Sequence, residues 1–484
     1  MLPMVLKLFK KIGSHIIKIG LTSSILVFQF KVSAQIFPVD TLLKNGPIEK
    51  QINLVFLSDG YQPDEMTKYI SDVDYLVNAM FNQTPFKQYK SYFNVFAIKV
   101  PSNDSGATHP KTSSDGDCSP VPQLTVNTYF GSTFDYGGIH RLLVPTKSGN
   151  IANVVSHNFP MYDQVFIVVN SPYYGGSGGN SATSSTHADS PEVSIHEIGH
   201  SFAGLADEYW AGSGYAAEKP NMTQTSNSTT VKWAPWVGTA GVSVYPYDES
   251  PTWFRPHQNC KMRYLGYTFC SVCTETFVEK IHTLVNPLLD YEPKTLSLEV
   301  EDEALEFSVS YLKPTSNSMN VVWRKNGEMF TVNQESVSVP VSSFSAGETK
   351  ISVTITDATN LSRSTAHTTN HVYVVEWTVT NANPDPVTSI DVNAEVREYE
   401  VSLFPNPVQD NFITSYTLPK QTNVQVMIYD AMGKRVRTLV KANQASGKHQ
   451  YEYRATEIFP AAGQYTVVFT FDQSAVMSRI IHID

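Results

Sequence analysis

The sequence predicts a mixed α/β (α+β) domain over residues 35–290, followed by two all-β sandwich domains over 291–385 and 396–484. Three observations carry that reading. Between 35 and 290, apolar runs of strand length alternate with apolar residues at helical spacing, the pattern of a layered α/β core. From about 291 the helical period gives way to short alternating runs separated by turn residues, as half-buried strands require. Asn381 to Pro386 is a polar, proline-containing linker, and alternation resumes beyond it.

In chain order, residues 1–34 read as a signal peptide. Lys7, Lys10, Lys11 and Lys18 form a positive start, Ile19 to Phe30 an apolar stretch, and Val32-Ser33-Ala34 a small-residue cleavage site before Gln35. The stretch is short of the ~20 residues that span a bilayer; a retained anchor is the alternative. Gln35 to Lys50 is either a short propeptide or the first strand. Ile52 to Leu57 is a buried strand ended by Asp59-Gly60. Pro63 opens a helix with Asp64 and Glu65 in its first turn, where the dipole favours negative charge. Its apolar face is Met66, Tyr69, Ile70, Val73, Leu76, Val77, Met80 and Phe81. Phe93 to Val100 is a strand, and Val165 to Val169 is apolar enough to be buried on both faces. In the first sandwich, Thr295–Val300 and Lys350–Ile355 alternate, and Lys325-Asn326-Gly327 after Trp323 predicts a hairpin. The last domain turns at Asp430-Ala431-Met432-Gly433 and around Gly463.

Composition narrows the function. With 41% hydrophobic and only 17% charged residues in 484, the chain is globular rather than disordered. Its formal charge is −10, and the first 34 residues hold five lysines and no acid, so the exported part is more acidic still. Nucleic acid is excluded as a partner, because phosphate binding needs a basic surface. No second segment is apolar enough for a transmembrane anchor in the mature chain. Export gives Cys118, Cys260, Cys270 and Cys273 an oxidising setting, where an even number predicts two disulfides of undetermined pairing. Zinc at Cys270-x-x-Cys273 is the alternative, but with only Cys260 nearby it lacks a fourth ligand.

The chemistry sits in one helix. Ser190-Pro191-Glu192 is a helix start, followed by His196-Glu197-Ile198-Gly199-His200. Histidines at i and i+4 share a face, so both imidazoles reach a single zinc ion, and Glu197 between them serves as general base. A catalytic zinc needs a third ligand. Against the metzincin pattern HExxHxxGxxH, Gly204 stands one residue late, but Gly204-x-x-Asp207 resembles its Gly-x-x-ligand spacing and so implies Asp207, with one extra residue in the helix. Glu208, with its longer side chain, is the runner-up; alternatively, one of the pair only orients a ligand histidine. Cys260-Lys261-Met262-Arg263-Tyr264 resembles the methionine turn of metzincins, which implies that Met262 packs beneath the histidines. Tyr264 is the candidate to stabilise an oxyanion. The glycine-rich Tyr173–Asn180 segment is a candidate rim for extended substrate by strand addition. Asp115-Gly116-Asp117 lacks the ligand spacing of an EF-hand.

His196 through Tyr209 resembles the signature of the IgA-peptidase family of zinc metallopeptidases. Ile52–Tyr61, the segment from Pro85 to Val95, and Cys260-x-Met262-Arg263 with Cys270-x-x-Cys273 are similar in the same way. This Met262 segment is similar to the metzincin turn, and Tyr264 stands at the spacing at which the astacin branch places a zinc-proximal tyrosine. Ala203 departs from the family, which has a second glycine there. The resemblance covers about 50 to 290. It implies a metzincin-like secreted zinc endopeptidase with Zn2+ on His196 and His200, Glu197 as base, and a protein or glycoprotein substrate. Leu403-Phe404-Pro405-Asn406-Pro407, Ile428-Tyr429-Asp430 with Gly433-Lys434, and Gly463-Gln464-Tyr465-Thr466-Val467 resemble the sorting domain of type nine secretion cargo. That implies a Bacteroidetes-type source and a partner in the outer-membrane secretion machinery. The competing expectation is a surface adhesin whose peptidase-like domain only binds protein or glycan.

Overall fold

The computed structural model describes residues 35–300, 303–381, 399–431, 434–472 and 474–483. The expected signal peptide, the linker beyond Asn381, and Met432 and Gly433 of an expected turn lie outside them. The chain divides into two compact units. One comprises residues up to Lys44, Asn53–Val77 and Val95–Ile198; the other comprises Asn45–Ile52, Asn78–Asn94 and the chain from Gly199 onward.

The first unit is built on a six-stranded sheet. Its strands are β1 (Val39–Leu43), β2 (Ile52–Asp59), β3 (Phe93–Ile98), β6 (Gln164–Val169), β7 (Gly176–Ser177) and β8 (Ala182–Ser184), in the order β1-β3-β2-β6-β8-β7. A short ladder of β4 (Ser132–Thr133) and β5 (Val144–Pro145) stands apart from it. β2 and β6 are parallel, as are β6 and β8, whereas β1 pairs antiparallel with β3. Every residue of β2, β3 and β6 is buried. This is why their sequences read as continuous apolar runs rather than alternating ones. Phe56 and Phe166 stack across the ladder, 4.6 Å between ring centroids. Residues 39–43, left open between propeptide and strand by the sequence, form the edge strand.

After β2, a 3-10 turn at Pro63–Glu65 leads into α1 (Met66–Phe81). Gln62 and Glu65 form a capping box, which satisfies backbone donors that the first helical turn leaves open. The face predicted to be apolar is the buried one at Tyr69, Val73, Leu76, Val77, Met80 and Phe81. A second helix, α2 (Ser148–Asn158), precedes β6, and α3 (Ser190–Ser201) follows β8. The first unit ends within α3.

In the second unit α4 (Ser271–Leu284) buries Phe277 completely, and Phe86, Phe202 and Phe269 gather around that ring. Next comes a sandwich of a three-stranded sheet (Leu288–Glu292, Leu305–Tyr311, Ser336–Val339) and a five-stranded one. Trp323 and Trp377 are fully buried and stacked 6.0 Å apart in its core. Asn326 (φ 49°) and Gly327 (φ 86°) close the expected hairpin as a two-residue turn with both φ positive. From Ser402 to His482 a three-stranded and a four-stranded sheet share one core around Phe412, Tyr416, Val426 and Phe469. Among the described residues no helix is long and apolar enough to cross a membrane.

Candidate metal centre and active site

α3 begins where Ser190-Pro191-Glu192 predicts and ends at Ser201. His196 and His200, four residues apart, rise from the same face. Their imidazoles and the Asp207 carboxylate offer ligand atoms all within 4.8 Å of one another. Glu208 is not part of this group, so of the two acids it is Asp207 that reaches the histidines.

The local chain shows how Asp207 arrives there. Gly204 sits at φ +67°, a left-handed conformation open to glycine and costing other residues about 1–2 kcal/mol. Its N–H donates to His200 O (3.1 Å) and that of Leu205 to Gly199 O (2.9 Å). This closure is one residue wider than the usual Schellman stop. The extra residue expected inside the helix is therefore taken up by the turn. Beyond it, Asn221 donates to Ala206 O (2.8 Å) and accepts from Ala206 N–H (2.7 Å). The Tyr247 hydroxyl donates to Asp207 O (2.7 Å), and Glu208 N–H to Met262 O (2.7 Å). Asn221 and Tyr247, both fully buried, carry no sequence signal, because they act on backbone from distant loops.

His200 Nδ1 lies 2.8 Å from Leu205 O. A carbonyl only accepts, so in the neutral ring Nδ1 carries the proton and Nε2 presents a lone pair. That lone pair faces Asp207 Oδ1 at 3.3 Å. Two acceptors at that distance repel; a second proton on the ring, at Nε2, or a metal cation between them relieves this. Ligand atoms on a tetrahedral zinc, with Zn–N and Zn–O of about 2.0–2.2 Å, stand about 3.3–3.5 Å apart. The donor set of two imidazoles and a carboxylate thus fits such an ion.

Met262 is fully buried, and a Cβ added to Gly199 would lie 2.5 Å from its sulfur. The methionine therefore packs against the helix backbone beside His200. Gly199→Ala is expected to cost about 1–3 kcal/mol through overpacking. Thermal unfolding measures it, and an unchanged midpoint would mean that Met262 gives way freely. Glu197 is half-buried, its Cγ 3.6 Å from where a Cβ on Gly176 would stand, so it lies along β7. Burial raises the pKa of Tyr174, with Arg141 opposing and the charge of Glu197 adding to the rise. Arg141 and Tyr174 thus share the electrostatic surroundings of Glu197.

Residues 41–251 match the model of the IgA Peptidase M64 family, and residues 402–483 that of the secretion system C-terminal sorting domain. The chain thus holds a region that matches the M64 peptidase family. Its sorting tail makes it a secreted or cell-surface protein of the type IX route of Bacteroidetes. No curated protein matches the chain. Among solved structures it is similar to dimeric latent PorU from Porphyromonas gingivalis, at 12% identity over 40% of this chain and 20% of that one (TM-score 0.15). It is also similar to SGBP-B of the Bacteroides ovatus mixed-linkage glucan utilization locus, at 13% over 41% and 46% (TM-score 0.16). A Parabacteroides merdae beta-glucuronidase aligns at 10% over 48% and 29% (TM-score 0.15). The chain spans less than half the length of each of these proteins.

Two expectations for the matched region and the residues just beyond it change. The Gly176 edge is not open for strand addition: Gly176 N–H donates to Arg141 O (3.1 Å) and Leu143 N–H to Gly176 O (3.3 Å). The segment 141–143 already covers it, while Gly178, Gly179 and Asn180 remain exposed. Tyr264 is 46% exposed, its ring under the Arg263 guanidinium (4.8 Å) and beside Tyr267 (6.2 Å).

The second change concerns the cysteines, which form no disulfide: all four are free thiols. Cys118 neighbours His109 (3.5 Å) and Asp135 (3.7 Å) rather than another cysteine. Asp135 is satisfied there by His140 Nδ1 (2.8 Å) and Thr112 N–H (2.9 Å). The other three, an odd number, gather around Glu208. Cys260 and Cys273 sulfurs are 3.7 Å apart, against about 2.05 Å in a disulfide.

Proposed function

We propose that this protein is a secreted zinc-dependent metalloendopeptidase that cleaves extracellular protein or glycoprotein. The reading rests on one observation above all: the His200 lone pair and the Asp207 carboxylate facing each other at 3.3 Å, with His196 converging on the same point. The M64 match and the sorting tail support the peptidase class and the location.

His196, His200 and Asp207 are the residues that would hold the ion. Zinc bound there supplies a Lewis acid for the scissile carbonyl and lowers the pKa of a water. Glu197, held along β7, takes the proton of the attacking water and passes it to the departing amine nitrogen. Leu205 O keeps the His200 ring in its metal-facing tautomer, and Asn221, Tyr247 and Met262 hold the backbone on either side of Asp207. Tyr264 is the residue assigned to the developing oxyanion, reaching it once substrate orders its exposed ring. Tyr264→Phe is expected to lower kcat with KM little changed, and full activity in that variant would remove Tyr264 from the mechanism.

The test of the activity itself is cleavage of a proteome-derived peptide library by the full chain, with and without chelator. Cuts that chelator abolishes and zinc restores are expected. Bound zinc with no cuts under any condition would favour a protein- or glycan-binding surface protein instead.

A further inference from the structure

We propose that Cys260, Cys270, Cys273 and Glu208 form a second, structural zinc site, with three thiolates and one carboxylate around the ion. Their ligand atoms all lie within 4.8 Å of one another, and all four residues are buried.

The separations fit a tetrahedral ion rather than a thiol cluster or a disulfide. Zn–S of about 2.3 Å and Zn–O of about 2.0–2.2 Å place two sulfurs about 3.8 Å apart, and a sulfur and an oxygen about 3.6 Å apart. The structure has Cys260 Sγ and Cys273 Sγ at 3.7 Å. Glu208 Oε1 lies 3.1 Å from Cys273 Sγ and 3.9 Å from Cys270 Sγ, on either side of the tetrahedral value.

Glu208 supplies the second, independent indication. It is fully buried; Asn221 donates to its Oε1 (3.2 Å), while its Oε2 is buried with no hydrogen-bond partner among the described residues. A buried carboxylate oxygen without a partner is costly. Two weak thiol donors, both to Oε1, are poor compensation, and a divalent cation is a good one.

The framework suits thiolates. Cys270 caps α4 and Cys273 lies in its first turn, where the helix dipole favours negative charge. Cys270 N–H points at Cys260 Sγ (3.3 Å), a backbone hydrogen bond to the sulfur. Binding releases three thiol protons as three Zn–S bonds form. The resulting buried negative charge lies within electrostatic reach of Arg255, itself 4% exposed.

This site would fasten the loop that serves the other one. Glu208 follows Asp207, Cys260 stands two residues before Met262, and Glu208 N–H bonds Met262 O. One ion thus ties the acidic turn, the Met262 loop and the start of α4 together. Its consequence for Asp207 rests on the catalytic reading above; metal binding by the cysteines does not.

The test uses the full chain, purified under reducing conditions, stripped of metal and loaded with Co2+ alone. A near-ultraviolet sulfur-to-cobalt charge-transfer band is expected. It should persist in Cys118→Ser and in the His196→Ala/His200→Ala double variant, and weaken strongly in Cys260→Ser and Cys273→Ser. The wild-type chain also serves without substitution, in case the cysteine variants fail to fold. Loaded with Zn2+, it should shield three of its thiols from a thiol reagent beyond the shielding seen after chelation. Absence of the band, its loss in Cys118→Ser alone, or loss of both band and shielding in the double histidine variant would overturn the proposal.

Discussion

Glu197→Gln is expected to lower kcat/KM for peptide hydrolysis by about 10²–10⁴-fold, the usual contribution of a general base, with zinc content unchanged. Glutamine keeps the size of the side chain along β7 and its contact beside Gly176 but cannot accept the proton of water. Because Glu197 is not in the His196–His200–Asp207 group, its replacement should leave metal binding alone. Steady-state kinetics on a peptide found in the library, together with elemental analysis, separates the two effects. Wild-type activity in this variant would sink the mechanism, and loss of zinc along with activity would point to a ligand role instead.

The second large effect concerns stability, at Asp357. This residue ends the long strand Gly347–Asp357 of the first sandwich and is 1% exposed. Its carboxylate accepts from Tyr89 Oη (2.6 Å), His282 Nε2 (2.9 Å) and Ser318 Oγ (2.6 Å). Burial opposes its ionisation, but the hydrogen bonds from His282, Ser318 and Tyr89 prevail and hold the pKa below the ordinary aspartate range. Asp357→Ala leaves a buried histidine and a buried tyrosine unpaired, and is expected to cost about 3–5 kcal/mol. Asp357→Asn, which retains an acceptor, should cost less. The sign of the pH dependence follows from the depressed folded pKa. The stabilisation is complete above the unfolded value near 4 and is lost as pH falls through the folded value. Denaturant unfolding of the second unit between pH 3 and pH 7 reads this directly. An equal loss for Asp357→Ala and wild type on acidification would show that other groups set the acid limit.

Much of the architecture was legible because it follows from periodicity. β2 and β6 are buried on both faces, so their apolar runs stand out, and α1 is buried on the face its spacing marks. The Asn326-Gly327 hairpin was legible because few other residue pairs accept two positive φ values in succession. In the candidate site, the helical spacing of His196 and His200 and the counting from Gly204 to Asp207 led to residues that do converge.

What remained hidden depends on contacts between distant segments. Nothing along the sequence joins Glu208 to Cys260, Cys270 and Cys273, so the cysteine cluster lacked a fourth ligand and disulfides were the better expectation. Counting cysteines and reading the compartment gave an even number, but Cys118 packs with His109 and Asp135, which leaves three. Likewise, the glycine-rich segment gave no sign that residues 141–143 cover its edge, because those residues have no strand pattern of their own. Asn221 and Tyr247 escaped for the same reason: they hold backbone atoms, which carry no sequence.

The most direct measurement is an anomalous difference map, recorded at the zinc absorption edge, from crystals of the zinc-loaded protein. The account predicts a peak about 2.0–2.2 Å from the imidazoles of His196 and His200 and from the Asp207 carboxylate. Zinc in the crystal with no peak between these three residues would contradict it.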